Sequence, residues 1–321
     1  MIFAKQIVKA YESTAYARCD DTKTVFYYSS EDFEGLRKES YPFSSSLGHI
    51  LQGYLYSYEN PKENILVVFD HGFGGGHTAY MKEIKMLCQK GYTVLAYDHT
   101  GCMESGGVNT NGMAQSLHDL DDCFTFVKQD DRFNGYDLYA MGHSWGGFST
   151  INIASIHQEI KKVCVMCGFV CVEKLIESNF SGLLKGYRKD ILALEEKANP
   201  VYVKFNAIDS LKKTKAKTLL IYSSNDHLCK KAFSYDLLHN ELQNQDNIEF
   251  ILVDNKAHNP NYTEEAVVLL NKYVDERTKL LKKNKLQTEE EIKSFLEKYD
   301  FDKMTEQDNT IWQRIFDHFE N

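Results

Sequence analysis

Three residues of this 321-residue chain stand where acyl-transfer chemistry would need them: Ser144, Asp226 and His258. Ser144 lies in Gly142-His143-Ser144-Trp145-Gly146-Gly147, a G-x-S-x-G arrangement. Tyr136-Asp137-Leu138-Tyr139-Ala140-Met141 before it reads as a strand, and Ile151, Ile153, Ala154 and Ile156 after it read as a helix. A turn that tight needs small flanking residues, which Gly142 and Gly146 supply. It would hold the Ser144 hydroxyl above the sheet at a helix start, where the amides favour developing negative charge.

A serine that attacks a carbonyl creates an oxyanion, which needs preorganised donors. The amide after the serine, that of Trp145, is one expected donor. Phe73 is the other, in the loop His71-Gly72-Phe73-Gly74-Gly75-Gly76 that follows a strand ending at Asp70. The same glycines could cradle phosphate, but the Lys and Ser/Thr of a P-loop are missing.

The serine also needs a base, and the base needs an acid to orient it. After Ser144, the strand ending at Tyr222 opens into Ser223-Ser224-Asn225-Asp226-His227. The strand ending at Val253 opens into Asp254-Asn255-Lys256-Ala257-His258. Serine, then acid, then histidine is one of the orders in which such triads run. We expect His258 as general base and Asp226 as acid. Asp254 is a rival acid so near His258 that it reads as shaping the loop. His143 and His71 are rival bases, and the side chain of His143 should point away from its neighbour Ser144.

These residues must be positioned by something. Strand and helix patterns alternate: strands at Ile65–Asp70, Thr93–Asp98, Tyr136–Met141, Lys162–Val170, Thr218–Tyr222 and Ile248–Val253, with helices at Met81–Gln89 and Ser116–Lys128. That rhythm predicts an α/β fold with a mostly parallel central sheet flanked by helices. Leu47–Tyr58 reads as an antiparallel hairpin arm before the first of them. The chain is expected to form one domain over 1–321. Its parts are an N-terminal extension at 1–40, a core at 41–171 and 216–284, a helical cap at 172–215, and C-terminal helices at 285–321.

Phe180, Leu183, Leu184 and Tyr187 in the cap are spaced for one helix face, which is expected to line an acyl pocket, the alternative being that it only packs on the body. At the C-terminus, Thr288 and Glu291 form a capping box. Ile292, Phe295, Leu296 and Tyr299, then Ile311, Trp312, Ile315, Phe316 and Phe319, form apolar faces expected to pack on the body.

Composition narrows the partners. With 37 basic against 46 acidic residues the net charge is −9, which argues against nucleic acid or an anionic membrane surface. No stretch approaches the roughly 20 apolar residues of a membrane span. Lysines interrupt the opening Met1–Lys9 before a signal-peptide core can form. The 8 cysteines are scattered, several in apolar runs, which fits a reducing cytoplasm. Cys164 and Cys167 form a C-x-x-C inside a buried strand pattern, read as core rather than as a zinc or redox site.

On His71-Gly72-Phe73-Gly74-Gly75, on Tyr97-Asp98-His99-Thr100-Gly101-Cys102-Met103-Glu104-Ser105, on the Ser144 motif, Asp226 and His258, the chain resembles a known family. It is similar to bacterial α/β-hydrolases of the serine aminopeptidase and monoglyceride-lipase-like branch, from about Phe43 to Val274. The second segment looks like the family's D-x-x-G-x-G-x-S turn, with Met103 in place of the second glycine. The resemblance implies hydrolysis of carboxylic esters, or of amides or thioesters, with no cofactor and no metal. A small-molecule acyl ester of small or medium chain is the expected substrate. An aminopeptidase would want a cap carboxylate to hold the substrate ammonium, and Glu173, Glu177, Glu195 and Glu196 are available. A reading of another class is a catalytically silent hydrolase fold used for binding, against which the intact triad argues.

Overall fold

A computed structural model describes residues 2–20, 23–62 and 64–321, with side chains from Lys5 onward. Met1, Asp21 and Thr22 of the expected N-terminal extension, and Glu63 of the expected core, lie outside the described residues. The strands are β1 (Arg37–Ser40), β2 (Phe43–Ser44), β3 (Ile50–Leu51), β4 (Gly53–Ser57), β5 (Ile65–Asp70), β6 (Thr93–Tyr97), β7 (Asp137–His143), β8 (Ile160–Met166), β9 (Lys217–Ser223) and β10 (Ile248–Val253). The helices are α1 (Ile2–Ala15), α2 (Met81–Gln89), α3 (Gln115–Gln129), α4 (Trp145–Ile153), α5 (Val172–Asn179), α6 (Arg188–Ala198), α7 (Ala207–Lys213), α8 (Tyr235–Leu242), α9 (Glu264–Lys282), α10 (Glu289–Leu296), α11 (Phe301–Met304) and α12 (Asn309–Glu320).

Eight strands form one sheet in the order β1-β4-β6-β5-β7-β8-β9-β10. β4 pairs antiparallel with β1 and β6, and every pair from β6 to β10 is parallel. After β5 the chain steps to β6 on one side, then crosses to β7 on the other. The loops after β5 and β7 therefore diverge at a switch point, where open α/β sheets form their crevice.

Both faces of the sheet are covered, which is why the central strands are apolar throughout rather than alternating. Leu66 and Val68 of β5 face a core with Leu117, Leu120 and Phe124 of α3 and Phe148 and Ile151 of α4. Val67 and Phe69 face the other, with Ile84 and Leu87 of α2 and Ile311, Trp312, Ile315 and Phe319 of α12. The last C-terminal helix thus closes one face of the body. The Lys162 ammonium fixes its end by donating to the Phe319 carbonyl at 2.8 Å. Phe295 and Met304 pack separately, with Tyr273 and Leu286.

Three local expectations change. The strand pattern running to Val170 stops at Met166, because Cys167 takes φ 50° and the chain then passes close over α4. A Cβ on Gly168 would lie 2.7 Å from the Gly147 carbonyl carbon. The Leu47–Tyr58 arm divides at Gln52 into β3, which pairs with β2 in a separate two-stranded sheet, and β4, which joins the main sheet. In the expected N-terminal extension, α1 is a 14-residue helix that packs on α6 of the cap. All eight cysteines are buried and unbridged. Among the described residues, no helix is long and apolar enough to cross a membrane.

Candidate active site

β7 runs straight into Ser144, whose backbone sits at φ 57°, ψ −112°. That strained conformation reverses the chain within one residue and starts α4 at Trp145. The Ser144 amide donates to the Met166 carbonyl at 2.9 Å, which pins the turn to β8. No side chain fits around it. A Cβ on Gly142 would lie 2.3 Å from the Thr150 hydroxyl, and one on Gly146 would lie 2.1 Å from the Asp70 carbonyl oxygen.

His258, in the loop after β10, reaches Ser144 Oγ through Nε2 at 2.7 Å. Its Nδ1 meets Asp226 Oδ2, in the loop after β9, also at 2.7 Å. A carboxylate only accepts, so Nδ1 carries the ring proton and Nε2 is left to accept from the serine hydroxyl. The Asp226 side chain is fully buried, and that of His258 is partly open at 15% exposure. Asp226 Oδ1 also accepts the amides of Leu228 at 2.8 Å and Cys229 at 3.1 Å. Burial pushes the Asp226 carboxyl up, but the His258 bond and charge, with the Leu228 amide, hold it below the usual range. It is ionised at neutral pH. Asp254 is exposed and hydrogen-bonds Ser224 instead. Among the described residues, one group has ligand atoms that converge as a metal would need. It is Cys167, Asp226 and His258, with those atoms within 4.8 Å of one another.

The loop after β5 borders the same crevice. The ring of Phe73, 40% exposed, packs edge-on against Trp145 with centroids 5.3 Å apart. The Trp145 amide opens α4 and has no intrahelical acceptor. His71 is buried below, its Nε2 accepting the His99 amide at 3.0 Å and its Nδ1 bonding the Gly72 carbonyl at 2.8 Å. Burial first, then the charge of His99, press its pKa down to about 3. Neither His71 nor His143 faces Ser144 as a base.

The turn after β6 explains the missing glycine. Met103 takes φ 42°, the left-handed conformation that favours glycine. Asp98 holds the turn, accepting the His77 amide and ring Nδ1 at 2.8 Å each and the Ser105 hydroxyl, through its carbonyl, at 2.5 Å. Beneath Trp145, His99 is wholly buried between Asp70 at 2.9 Å and Asp119 at 3.2 Å. Burial lowers its pKa, but the two carboxylates overcome that and raise it to about 10.

The four cap residues do not share an α-helical face. α5 stops at Asn179 and a 3-10 turn spans Gly182–Tyr187. Leu183 is 99% exposed and Leu184 39%. Phe180 packs edge-on against Tyr11 of α1, centroids 5.9 Å apart, and Tyr187 is half-buried on the core. Of the cap carboxylates, Glu195 is buried, accepting from the Tyr11 hydroxyl at 2.6 Å and the Met113 amide at 2.8 Å. Glu177 is paired with Lys174 and Arg188, and Glu173 and Glu196 are exposed. Sequence reasoning missed Met113, whose carbonyl takes the Trp145 indole N–H at 2.7 Å, and Tyr80, which bonds His143. Neither belongs to a motif, and only the fold brings them to the site.

A family model described as serine aminopeptidase matches residues 61–194. No curated protein matches the chain by sequence. Among solved structures, an esterase of Pyrococcus furiosus aligns with TM-score 0.59 and 17% identity, over 88% of this chain and 99% of that one. An acetyl xylan esterase from Paenibacillus sp. R4 aligns at 0.55 and 18%, over 80% and 88%. The acylaminoacyl peptidase of Pyrococcus horikoshii aligns at 0.52 and 17%, over 71% of this chain and 39% of that one. The chain has the α/β-hydrolase fold, and through residues 61–194 it resembles the serine aminopeptidases.

Proposed function

We propose that this protein is a serine hydrolase that cleaves carboxylic esters of small or medium acyl groups through an acyl-enzyme on Ser144. The observation that carries the reading is the continuous line from Ser144 Oγ through His258 to Asp226, with both hydrogen bonds at 2.7 Å. As Ser144 attacks the ester carbonyl, His258 Nε2 takes its proton. The carbonyl oxygen gains the charge and meets the amides of Phe73 and Trp145, each such donor being worth about 10²–10³ in rate. His258 returns the proton to the departing alkoxide, which leaves as an alcohol. Water then attacks the acyl-Ser144 ester as His258 takes its proton, His258 passes that proton to the departing Ser144 Oγ, and the acid leaves. Asp226 stays ionised, keeps the proton on Nδ1 and stabilises the imidazolium.

An aminopeptidase would run the same steps, and the serine aminopeptidase family match favours it as the second reading. Against it, Glu195 and Glu177 are already engaged by partners of their own chain. A fluorophosphonate probe should label the wild type and not Ser144→Ala. A p-nitrophenyl ester series beside aminoacyl anilides should give turnover with the esters. Turnover by Ser144→Ala near wild type would remove the assignment, and preference for the anilides would move it to the second reading. An unlabelled wild type would leave a binding module.

A further inference from the structure

His143 is next to Ser144 in the chain, yet its ring turns to the base's backbone. His143 Nε2 lies 2.7 Å from the carbonyl oxygen of His258. Its Nδ1 lies 2.7 Å from the Tyr80 hydroxyl, and the Tyr80 oxygen accepts the Gly72 amide at 3.0 Å. Only one proton arrangement satisfies all three bonds. A carbonyl can only accept, so Nε2 must donate, and Nδ1 must then accept the proton of Tyr80. Burial, with the charge of His258, presses the His143 pKa down to about 3, so the ring is neutral as that arrangement requires.

The two ends of this chain of bonds are the two loops that the reaction needs in register. Gly72 directly precedes Phe73. The far end is His258, preceded by Ala257 at φ 45°. Neither loop has a repeating backbone ladder to place it. Gly72 is closed in by the relay itself, since a Cβ there would lie 2.4 Å from the Tyr80 oxygen and 3.4 Å from His143 Nδ1. The rings of His143 and His258 have centroids 4.7 Å apart. A neutral His143 adds no repulsion when His258 becomes an imidazolium, whereas a charged one would.

The geometry points to His143 and Tyr80 as positioning residues for acyl transfer, a directional relay that holds the Phe73 amide and the His258 ring in one frame. It rests on the proposed roles of Ser144 and His258. Hydrogen bonds that merely filled a polar pocket would affect stability alone. A relay that sets two catalytic groups should affect turnover per competent site, because small displacements of reacting groups are costly.

The test compares Tyr80→Phe, His143→Leu and His143→Gln with the wild type on one p-nitrophenyl ester. Fluorophosphonate titration counts competent sites, so kcat is expressed per labelled serine. Tyr80→Phe should lose about tenfold in kcat with KM within about twofold, as one buried donor is removed. His143→Leu should lose about a hundredfold and shift the acidic limb of the pH profile, where His258 must be unprotonated to act as base, since two bonds go. His143→Gln keeps an N–H able to reach the His258 carbonyl and should fall between. If kcat per site and the pH profile are unchanged in Tyr80→Phe and His143→Leu while thermal midpoints fall, the relay is structural and the inference is overturned. Should His143→Leu fail to fold, Tyr80→Phe decides alone, as it deletes a single oxygen. A wild type that is not labelled would overturn the Ser144 reading, and this inference with it.

Discussion

The Glu195 carboxylate reaches from α6 to the amide of Met113, 2.8 Å away, while the Met113 carbonyl takes the indole N–H of Trp145 at 2.7 Å. The cap is therefore tied to the residue after Ser144, with Tyr11 of α1 on the other carboxylate oxygen. Glu195→Ala would strand a buried amide and a hydroxyl, costing about 1–3 kcal/mol for each. Glu195→Gln keeps an acceptor and should lose less than half as much. Urea unfolding of the two variants checks the ranking.

Asp226→Asn should lower kcat by about 10⁴, because the amide would present an N–H to His258 Nδ1 and favour the wrong tautomer. Asp254→Asn, exposed and bonded to Ser224, should cost less than about tenfold on the scale of a surface hydrogen bond. Steady-state kinetics on both variants ranks them. The reverse order would move the acid to Asp254.

The cap separates into residues that pack and residues that do not. Phe180→Ala should lower the thermal midpoint, since its ring packs on Tyr11. Leu183→Ala, at 99% exposure, should leave the midpoint alone. If Leu183 and Leu184 select the acyl chain, their Ala variants should shift the short-to-long ester ratio of kcat/KM several-fold, the scale of about 1–3 kcal/mol for a methylene of pocket contact. An unchanged chain-length profile in all cap variants would remove them from the pocket.

Buried histidines set the pH range of stability. His99 is held at about 10 by Asp70 and Asp119 against the pull of burial, well above an unfolded imidazole near 6.5. Its contribution is full below about pH 6.5 and is lost as pH rises through about 10. His71 and His143, pressed to about 3 mainly by burial, have the opposite sign. Their unfolded forms bind a proton below about pH 6.5 and their folded forms do not, so stability falls as pH drops toward 3. Urea unfolding should show a decline from pH 7 to 9.5 that His99→Gln flattens, by at most about 1.4 kcal/mol per pH unit.

The centre of the sheet was legible because a strand covered on both faces is a continuous apolar run, and Ile65–Asp70 coincides with the observed β5. Ile248–Val253 coincides with β10, an edge strand whose apolar residues are mostly half-exposed. The structure brings Ser144, Asp226 and His258 together, as their places in the sequence allow, because each follows a strand and ends of parallel strands gather at one edge. What failed was local. Phe180, Leu183, Leu184 and Tyr187 have α-helical spacing, but a break after Asn179 separates the first from the rest. Glu195 looks like any charge on a helix face until Tyr11, distant by 184 positions, is found against it. β1, whose four residues are all exposed, has no apolar pattern to announce it.

The eight thiols, each buried and unbridged, should make the folded chain slow to react with alkylating reagents and the unfolded chain reactive at eight places at once. Native-state alkylation would therefore act as a clock for opening. Cys19 reports the segment after α1, Cys171 the start of α5, Cys229 the Asp226 loop, and Cys88, Cys123 and Cys164 the deepest layers. In an oxidising medium the same arrangement makes unfolding a one-way process, because randomly paired thiols would trap the chain before it could close again.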